Sequence, residues 1–166
     1  GVEPESLTAI IVTHEHGDHI GGVAAFAARY STPVWLTFGT MAMVAERFAA
    51  LPHVYGFDSH ERFAIGALEV VPIAVPHDAR EPVQYAIGDG ARRMGILTDL
   101  GMSTLFVEAS LSGCDALVLE CNHDLDMLAG GDYPWALKQR ISSRLGHLHN
   151  EASAELLAAL DTSRLR

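Results

Sequence analysis

The sequence predicts a layered α/β fold, and three observations lead to that prediction. Strands alternate with amphipathic helices near both ends of the chain, and short strands separated by glycine and proline turns fill its centre. Hydrophobic residues make up 49% of the 166 residues. Such a pattern is typical of sheets that are covered by helices. The length and hydrophobic share suffice for one sizeable core, so we expect residues 1–166 to form a single domain.

The first third of the chain is predicted as strand, helix, strand, helix. The β-branched apolar run Leu7–Val12 indicates a buried strand, and apolar residues recur on one helical face from Asp18 to Tyr30. A second strand is predicted at Pro33–Phe38 and a second amphipathic helix at Thr40–Ala50. A histidine-rich segment lies where the first strand passes into the first helix.

The centre of the chain favours antiparallel strands, because its strands are short and turns separate them. They are predicted at Glu61–Ile65, Leu68–Val75, Val83–Ile87 and Arg93–Leu97. The later elements are a helix near Ser103–Leu111, a buried strand at Ala116–Leu119, a helix from Pro134 to Leu145 and a last helix at Glu151–Leu160. Pro134 suits a first helical turn, and Asn150 suits the N-cap of the last helix.

Composition narrows the functional classes. The formal net charge of −10 disfavours broad attraction to a phosphate backbone, although bound divalent cations would offset part of it. No apolar run has the length of a transmembrane helix and no leader-like segment opens the chain, so we expect a soluble segment without membrane contact. Cys114 and Cys121 are interpreted as small buried residues that cannot pair across one strand. Without a disulfide framework, the cytoplasm is the expected location.

The strongest chemical signal is the run His14-Glu15-His16-Gly17-Asp18-His19. In an extended segment His14, His16 and Asp18 point the same way, and a helix that begins here can bring His19 back to that side. Neutral imidazoles and carboxylates suit zinc, iron or manganese. A solvated histidine-rich loop is the competing interpretation, but three close imidazoles that repel one another when charged favour a metal site.

This run lies in Thr13–Gly22, which resembles the second motif of the metallo-β-lactamase fold superfamily. Two more segments are similar to later motifs of that superfamily: Val75–Ala79 and Leu97–Gly101. Three others resemble its YycJ/WalJ-like branch, described as DNA exonucleases: Glu120–Asp124, Tyr133–Trp135 and Gly146–Leu148. The resemblance therefore extends over nearly the whole chain.

The resemblance implies an αββα sandwich with a metal site at one edge of its sheets, incomplete at the N- and C-termini. Two divalent ions, zinc or manganese, are the implied cofactors. The implied ligands are His14, His16 and His77 on one ion, Asp18 and His19 on the second, and Asp99 between them. Taken alone, His77 could equally be a surface histidine, and Asp99 is more often a turn residue. The superfamily's strand pair before the motif and its last histidine ligand are expected outside this chain, with His123 or His149 as weaker substitutes.

The resemblance also implies hydrolysis by a hydroxide that two metal ions activate. The expected catalytic residues are Asp18, Glu120 and His147. Glu120 and His147 resemble the glutamate–histidine pair with which the related ribonuclease Z family protonates its leaving group. Taken alone, Glu120 could be a solvated carboxylate at a strand end and His147 a histidine at a helix end. Asp78 is a candidate for orienting an imidazole, and Lys138 and Arg140 form a basic spot that is more simply a solvated face.

The expected function is that of a phosphodiesterase or 5′–3′ exonuclease acting on DNA. Nucleic acid is therefore the expected partner, while the oligomeric state stays open. Two alternatives remain at this point. One is a hydrolase of small thioesters or lactones, similar to glyoxalase II, and the other is a domain that binds metal without turnover.

Overall fold

The computed structural model describes residues 1–166 and contains two β-sheets between layers of helices. The first sheet has three parallel strands: β1 (Ile10–Ile11), β2 (Val34–Thr37) and β3 (Val54–Phe57). The second sheet has five strands in sequence order: β4 (Phe63–Ile65), β5 (Leu68–Ala74), β6 (Val83–Gly88), β7 (Arg93–Leu97) and β8 (Ala116–Leu119). Its strands are antiparallel except for β7 and β8, which run parallel to each other.

Seven α-helices and a short 3₁₀ turn at Pro4–Ser6 complete the chain. The helices are α1 (Gly17–Ile20), α2 (Val23–Tyr30), α3 (Phe38–Phe48), α4 (Leu105–Leu111), α5 (Leu125–Gly130), α6 (Trp135–Ile141) and α7 (Asn150–Ala159). Thr37 and Thr104 cap α3 and α4, because their side chains accept a hydrogen bond from an amide of the first turn. None of the helices combines the length and the apolar character needed to cross a bilayer.

Three hydrophobic clusters hold four layers together. One cluster joins α2 and α3 to the first sheet through Ala27, Val34, Leu36 and Val44. A second joins the two sheets through Phe57, Val70, Val83 and Tyr85. The third joins the second sheet to α4 and α7 through Ile73, Leu97, Val107 and Leu156. The order is helices, sheet, sheet, helices, which confirms the expected αββα sandwich.

Two elements lie where the sequence predicted none. β3 contains Gly56, and glycine disfavours a strand locally. The fold needs glycine here because a Cβ at this position would lie only 2.5 Å from the ring of Phe38. α5 is six residues long and is capped by Asp124, whose side chain accepts a hydrogen bond from the amide of Met127. A strand of four residues and a helix of six are too short to show a clear hydrophobic period.

Other predicted boundaries were wrong by a few residues. The first predicted helix is divided into α1 and α2 at Gly21 and Gly22, and β1 is only two residues long. The helix predicted to reach Leu145 ends at Ile141, because the chain turns back there and the Ile141 carbonyl accepts a hydrogen bond from the His147 amide. α7 begins at Asn150, with His149 as its cap.

Both cysteines are free and lie outside β8. Cys114 is buried as predicted, whereas the prediction of burial was wrong for Cys121, which is exposed.

Tyr85 of the second sheet is hydrogen-bonded to the chain just ahead of the histidine-rich segment. Its side chain is buried and its hydroxyl donates a hydrogen bond to the carbonyl of Val12. We expect Tyr85→Phe to destabilise the fold by about 1–3 kcal/mol, because the Val12 carbonyl then loses this partner in a dry environment. Urea unfolding measures the effect, and Tyr55→Phe is the control because Tyr55 is 43% exposed. Equal unfolding midpoints for the two variants would contradict this role of the hydroxyl.

Candidate metal centre

Four segments of the chain meet at one end of the two sheets. Three of them follow a strand directly, so that β1 leads to His14–His19, β5 leads to His77 and β7 leads to Asp99. The fourth, Gly146–Leu148, lies between α6 and α7 and is joined to Glu120 at the end of β8. Loops at strand ends can aim side chains into a common space while the sheets keep the backbone fixed.

The first ligand group consists of His14, His16 and His77. His14 Nε2 lies 3.0 Å from His16 Nδ1, and His77 Nε2 lies 3.2 Å from the same atom. In a tetrahedral zinc site with bonds of about 2.0–2.1 Å, ligand nitrogens lie about 3.3 Å apart. Two of the three nitrogen separations are close to that spacing, and all three ligand atoms lie within 4.8 Å of one another, so these residues fit one divalent ion.

The remaining ring nitrogens have partners that set the orientation of the imidazoles. His77 Nδ1 lies 3.0 Å from the carbonyl oxygen of Gly146, and His16 Nε2 lies 3.2 Å from that of Asp78. Each of these N–H groups can donate to the carbonyl, which leaves the other nitrogen of the ring free to bind a metal. The Asp78 carboxylate itself lies 3.6 Å from both imidazoles, so its backbone carbonyl rather than its side chain orients His16.

The second ligand group consists of His14, His19 and Asp99. Asp99 is 5% exposed, and its Oδ2 lies 3.0 Å from His19 Nε2 without a hydrogen bond of suitable geometry. A buried carboxylate oxygen without such a bond is costly, and a divalent cation at this position would satisfy it. Asp18 lies beside this group, with Oδ2 3.6 Å from His19 Nε2, but its side chain is 79% exposed and it belongs to neither group.

The electrostatics of His14, His77 and Asp99 favour the forms that bind cations, whereas the contact with Asp99 raises the pKa of His19. Burial lowers the pKa of His14 to about 3 and also lowers the pKa of His77. Burial of Asp99 opposes its ionisation, but the contacts with His19, Thr98 and His14 together outweigh burial and lower the pKa of Asp99 below its usual range. His14 and His77 are therefore neutral and Asp99 is ionised at neutral pH, as metal binding requires.

The buried Glu120 and the partly exposed His147 form a pair next to Asp99. His147 Nδ1 lies 2.6 Å from Glu120 Oε1 and 3.4 Å from Asp99 Oδ1. The second carboxylate oxygen of Glu120 accepts hydrogen bonds from the amides of Leu100 and Leu148, at 2.9 and 3.2 Å. The hydrogen bond to Glu120 raises the pKa of His147. Glu120 thus joins the loop that carries Asp99 to the segment that carries His147.

Further residues that the sequence analysis did not single out also hold the loops together. Glu15 accepts a hydrogen bond from the amide of Arg80 at 2.7 Å, which ties the loop after His77 to the histidine-rich segment. Gln84 accepts one from the amide of Thr98 at 3.1 Å and donates one to the carbonyl of Asp99 at 3.4 Å. An amide side chain inside the apolar run Val83–Ile87 was the one visible signal for Gln84.

Gly146 is required by close packing. A Cβ at this position would lie 2.2 Å from the carbonyl oxygens of Arg140 and Ile141. Only glycine therefore lets the segment after α6 approach closely enough for the Gly146 carbonyl to contact His77.

His123 and His149 lie in neighbouring extended segments and face each other, with ring centroids 6.3 Å apart. Neither belongs to a ligand group. The Nδ1 atom of His149 accepts a hydrogen bond from the amide of Ala152 as the cap of α7. The structure therefore gives no support for either residue as a substitute ligand.

A fold of four αββα layers with histidine and aspartate groups at the ends of its strands defines a metallo-β-lactamase-type protein. The chain belongs to the family described as the β-lactamase superfamily domain, whose model matches residues 2–166. It is 35% identical over 162 residues to exodeoxyribonuclease YycJ of Bacillus anthracis, covering 96% of this chain and 61% of that protein. It is 34% identical over 161 residues to exodeoxyribonuclease WalJ of Streptococcus pneumoniae, covering 93% and 59%.

The fold is similar to that of a solved structure, the metallo-β-lactamase fold protein YhfI from Bacillus subtilis. The TM-score is 0.73 at 17% identity, with 95% of this chain and 62% of that chain covered. At this identity the likeness concerns the fold alone. This chain spans about three fifths of the length of the two exodeoxyribonucleases that it matches.

Proposed function

We propose that this chain forms the metal-binding part of a hydrolase that cleaves phosphodiester bonds in DNA, as a 5′–3′ exonuclease. The observation that carries the proposal is the position of the Glu120–His147 pair next to two histidine and aspartate groups that share His14. The names of the two relatives support DNA as the substrate. A location in the cytoplasm is part of the same proposal and agrees with two unpaired cysteines.

Two divalent ions, zinc or manganese, would be held by residues of both ligand groups. When bound, they supply an activated water and offset the negative charge that builds up on phosphoryl oxygens. His14, His16 and His77 would hold one ion and Asp18 and His19 the other, with Asp99 between them. The mostly exposed side chain of Asp18 can turn toward His19 without disturbing the core.

His147 would act as the general acid in this proposal. Its Nδ1 is engaged by Glu120, so its Nε2 proton remains free for the oxygen that leaves phosphorus. The hydrogen bond to Glu120 favours the charged imidazolium and raises the pKa of His147, so that the protonated ring is more stable here than in solution. Glu120 itself is only 8% exposed and bonds two backbone amides, so it positions His147 rather than touching substrate.

The acidic net charge fits an enzyme that binds DNA at its metal centre rather than along a basic surface. With a formal charge of −10, this chain gains little from the polyanionic backbone outside that centre. We therefore expect weak binding of DNA when the metals are removed, and filter binding with and without a chelator measures it.

The test of the function is an assay of the full gene product on 5′-labelled single-stranded DNA and on a small thioester. We expect DNA cleavage that falls at least about 100-fold after chelation and returns with added zinc or manganese. Metal content is measured in parallel by mass spectrometry. Metal-dependent cleavage of the thioester alone would reject the nuclease and leave a small-molecule hydrolase. Metal binding with no turnover of either substrate would reject both activities.

A further inference from the structure

Arg140 of α6 lies beside the first ligand group. Its Nε contacts Asp78 Oδ2, and a terminal nitrogen lies 3.1 Å from Asp78 Oδ1. Asp78 Oδ1 in turn lies 3.6 Å from Nε2 of both His16 and His77. One carboxylate therefore separates the guanidinium from the residues proposed to hold the first ion.

The guanidinium keeps part of its binding capacity. Its two contacts with Asp78 use two of the five N–H donors of an arginine, and no other residue of the chain accepts from the remaining three. The Arg140 side chain is 53% exposed, so these donors are open to a ligand from solvent.

Arg140 lies within electrostatic reach of two carboxylates near the ligand groups. Asp78 and, more weakly, Asp18 raise its pKa, and Asp18 is a proposed ligand of the second ion. Arginines of this chain form two other ion pairs, Arg62–Glu69 and Arg164–Asp115, and neither touches a histidine of the site. Arg140 is thus the arginine whose ion pair lies beside the first ligand group.

We propose that Arg140 binds a non-bridging oxygen of the substrate phosphate, and that Asp78 holds the guanidinium in place for that contact. A planar fork of donors matches the oxygens of a phosphate, which is why arginine is favoured in such sites. Because the Arg140 side chain is about half exposed, solvent screens the ion pair and limits what it adds to the stability of the fold. The inference rests on the proposed phosphodiester substrate.

The experiment compares Arg140→Gln, Arg140→Lys and the control Arg144→Gln in the full gene product. Arg144 is an exposed arginine four residues further on whose Nε contacts the sulfur of Met102 rather than a carboxylate. KM and kcat are measured on the p-nitrophenyl ester of thymidine 5′-monophosphate. Binding of thymidine 5′-monophosphate is measured by calorimetry, and metal content by mass spectrometry.

We expect Arg140→Gln to raise KM and to weaken monophosphate binding by about 10-fold to 100-fold, which is the range of one charge-assisted hydrogen bond. Metal content should stay that of the unaltered protein, Arg140→Lys should restore part of the binding, and Arg144→Gln should change nothing. Unchanged KM and monophosphate binding in Arg140→Gln would overturn the inference and leave the phosphodiesterase intact. Loss of metal in that variant would also overturn it, since Arg140 would then support the ligands. An unaltered protein that cleaves only thioesters would refute the proposed function itself.

Discussion

Replacing His77 with alanine is expected to reduce hydrolysis by on the order of 10³-fold or more while the domain remains folded. His77 contributes one of three facing imidazole nitrogens, and its loss leaves only two for the first ion. Asp18→Ala should cause a comparable loss through the second ion, without a change in stability because its side chain is 79% exposed. Turnover, bound metal per chain and the circular-dichroism melting curve are measured together.

The matched control for His77 is His60→Ala. His60 is the same residue type, but its side chain is 76% exposed and it contacts only Asp58 and Ser59. We expect its metal content and turnover to equal those of the unaltered protein. Normal turnover in His77→Ala would remove His77 from the site, and normal turnover in Asp18→Ala would do the same for Asp18.

The second large expected effect distinguishes the role of Glu120 from that of His147. Glu120→Ala should lower both turnover and stability, the latter by about 2–5 kcal/mol, because two buried amides and an imidazole lose their acceptor. His147→Ala should lower turnover by about 10²–10⁴-fold, the usual contribution of a general acid, with a much smaller change in stability. Urea unfolding and steady-state kinetics on the same preparations give both values.

An exposed pair a few residues away provides the control for this comparison. Like His147 and Glu120, His149 and Glu151 are a histidine and a glutamate in contact, here at 3.0 Å, but the Glu151 side chain is 60% exposed. Glu151→Ala should leave turnover unchanged and stability within about 0.5 kcal/mol. If Glu120→Ala changed turnover and stability as little as Glu151→Ala, Glu120 would not be what joins the two loops. Unimpaired turnover in His147→Ala would rule it out as the general acid.

The layered fold and the first three imidazoles could be predicted because their signals are local or carried by motifs. Strand and helix periods are read over a few neighbouring residues, and His14 and His16 are two apart in an extended segment. His77 and Asp99 gave weak signals alone, since one histidine or aspartate after a strand has many ordinary explanations. The resemblance to a known family, rather than their spacing, singled them out.

The contacts that hold the loops together could not be predicted because they join residues far apart in sequence. Glu15 and Arg80 are 65 residues apart, and Asp78 and Arg140 are 62 apart. Whether such groups meet depends on how two sheets stack, which no local pattern encodes. The family resemblance singled out Glu120 together with His147, but it did not predict that the fold buries the Glu120 side chain against two backbone amides.

The segments that bear the candidate ligands are fastened to one another by the polypeptide itself. The amide of Asp78 donates to the carbonyl of Leu145, and that of Gly101 donates to the carbonyl of Pro76. A cation therefore need not recruit its ligands from a disordered chain, and little conformational entropy is lost when it enters. In the proposed function, acquisition of the ions can follow folding as a separate step, and the supply of divalent cations would then determine when the folded protein becomes active.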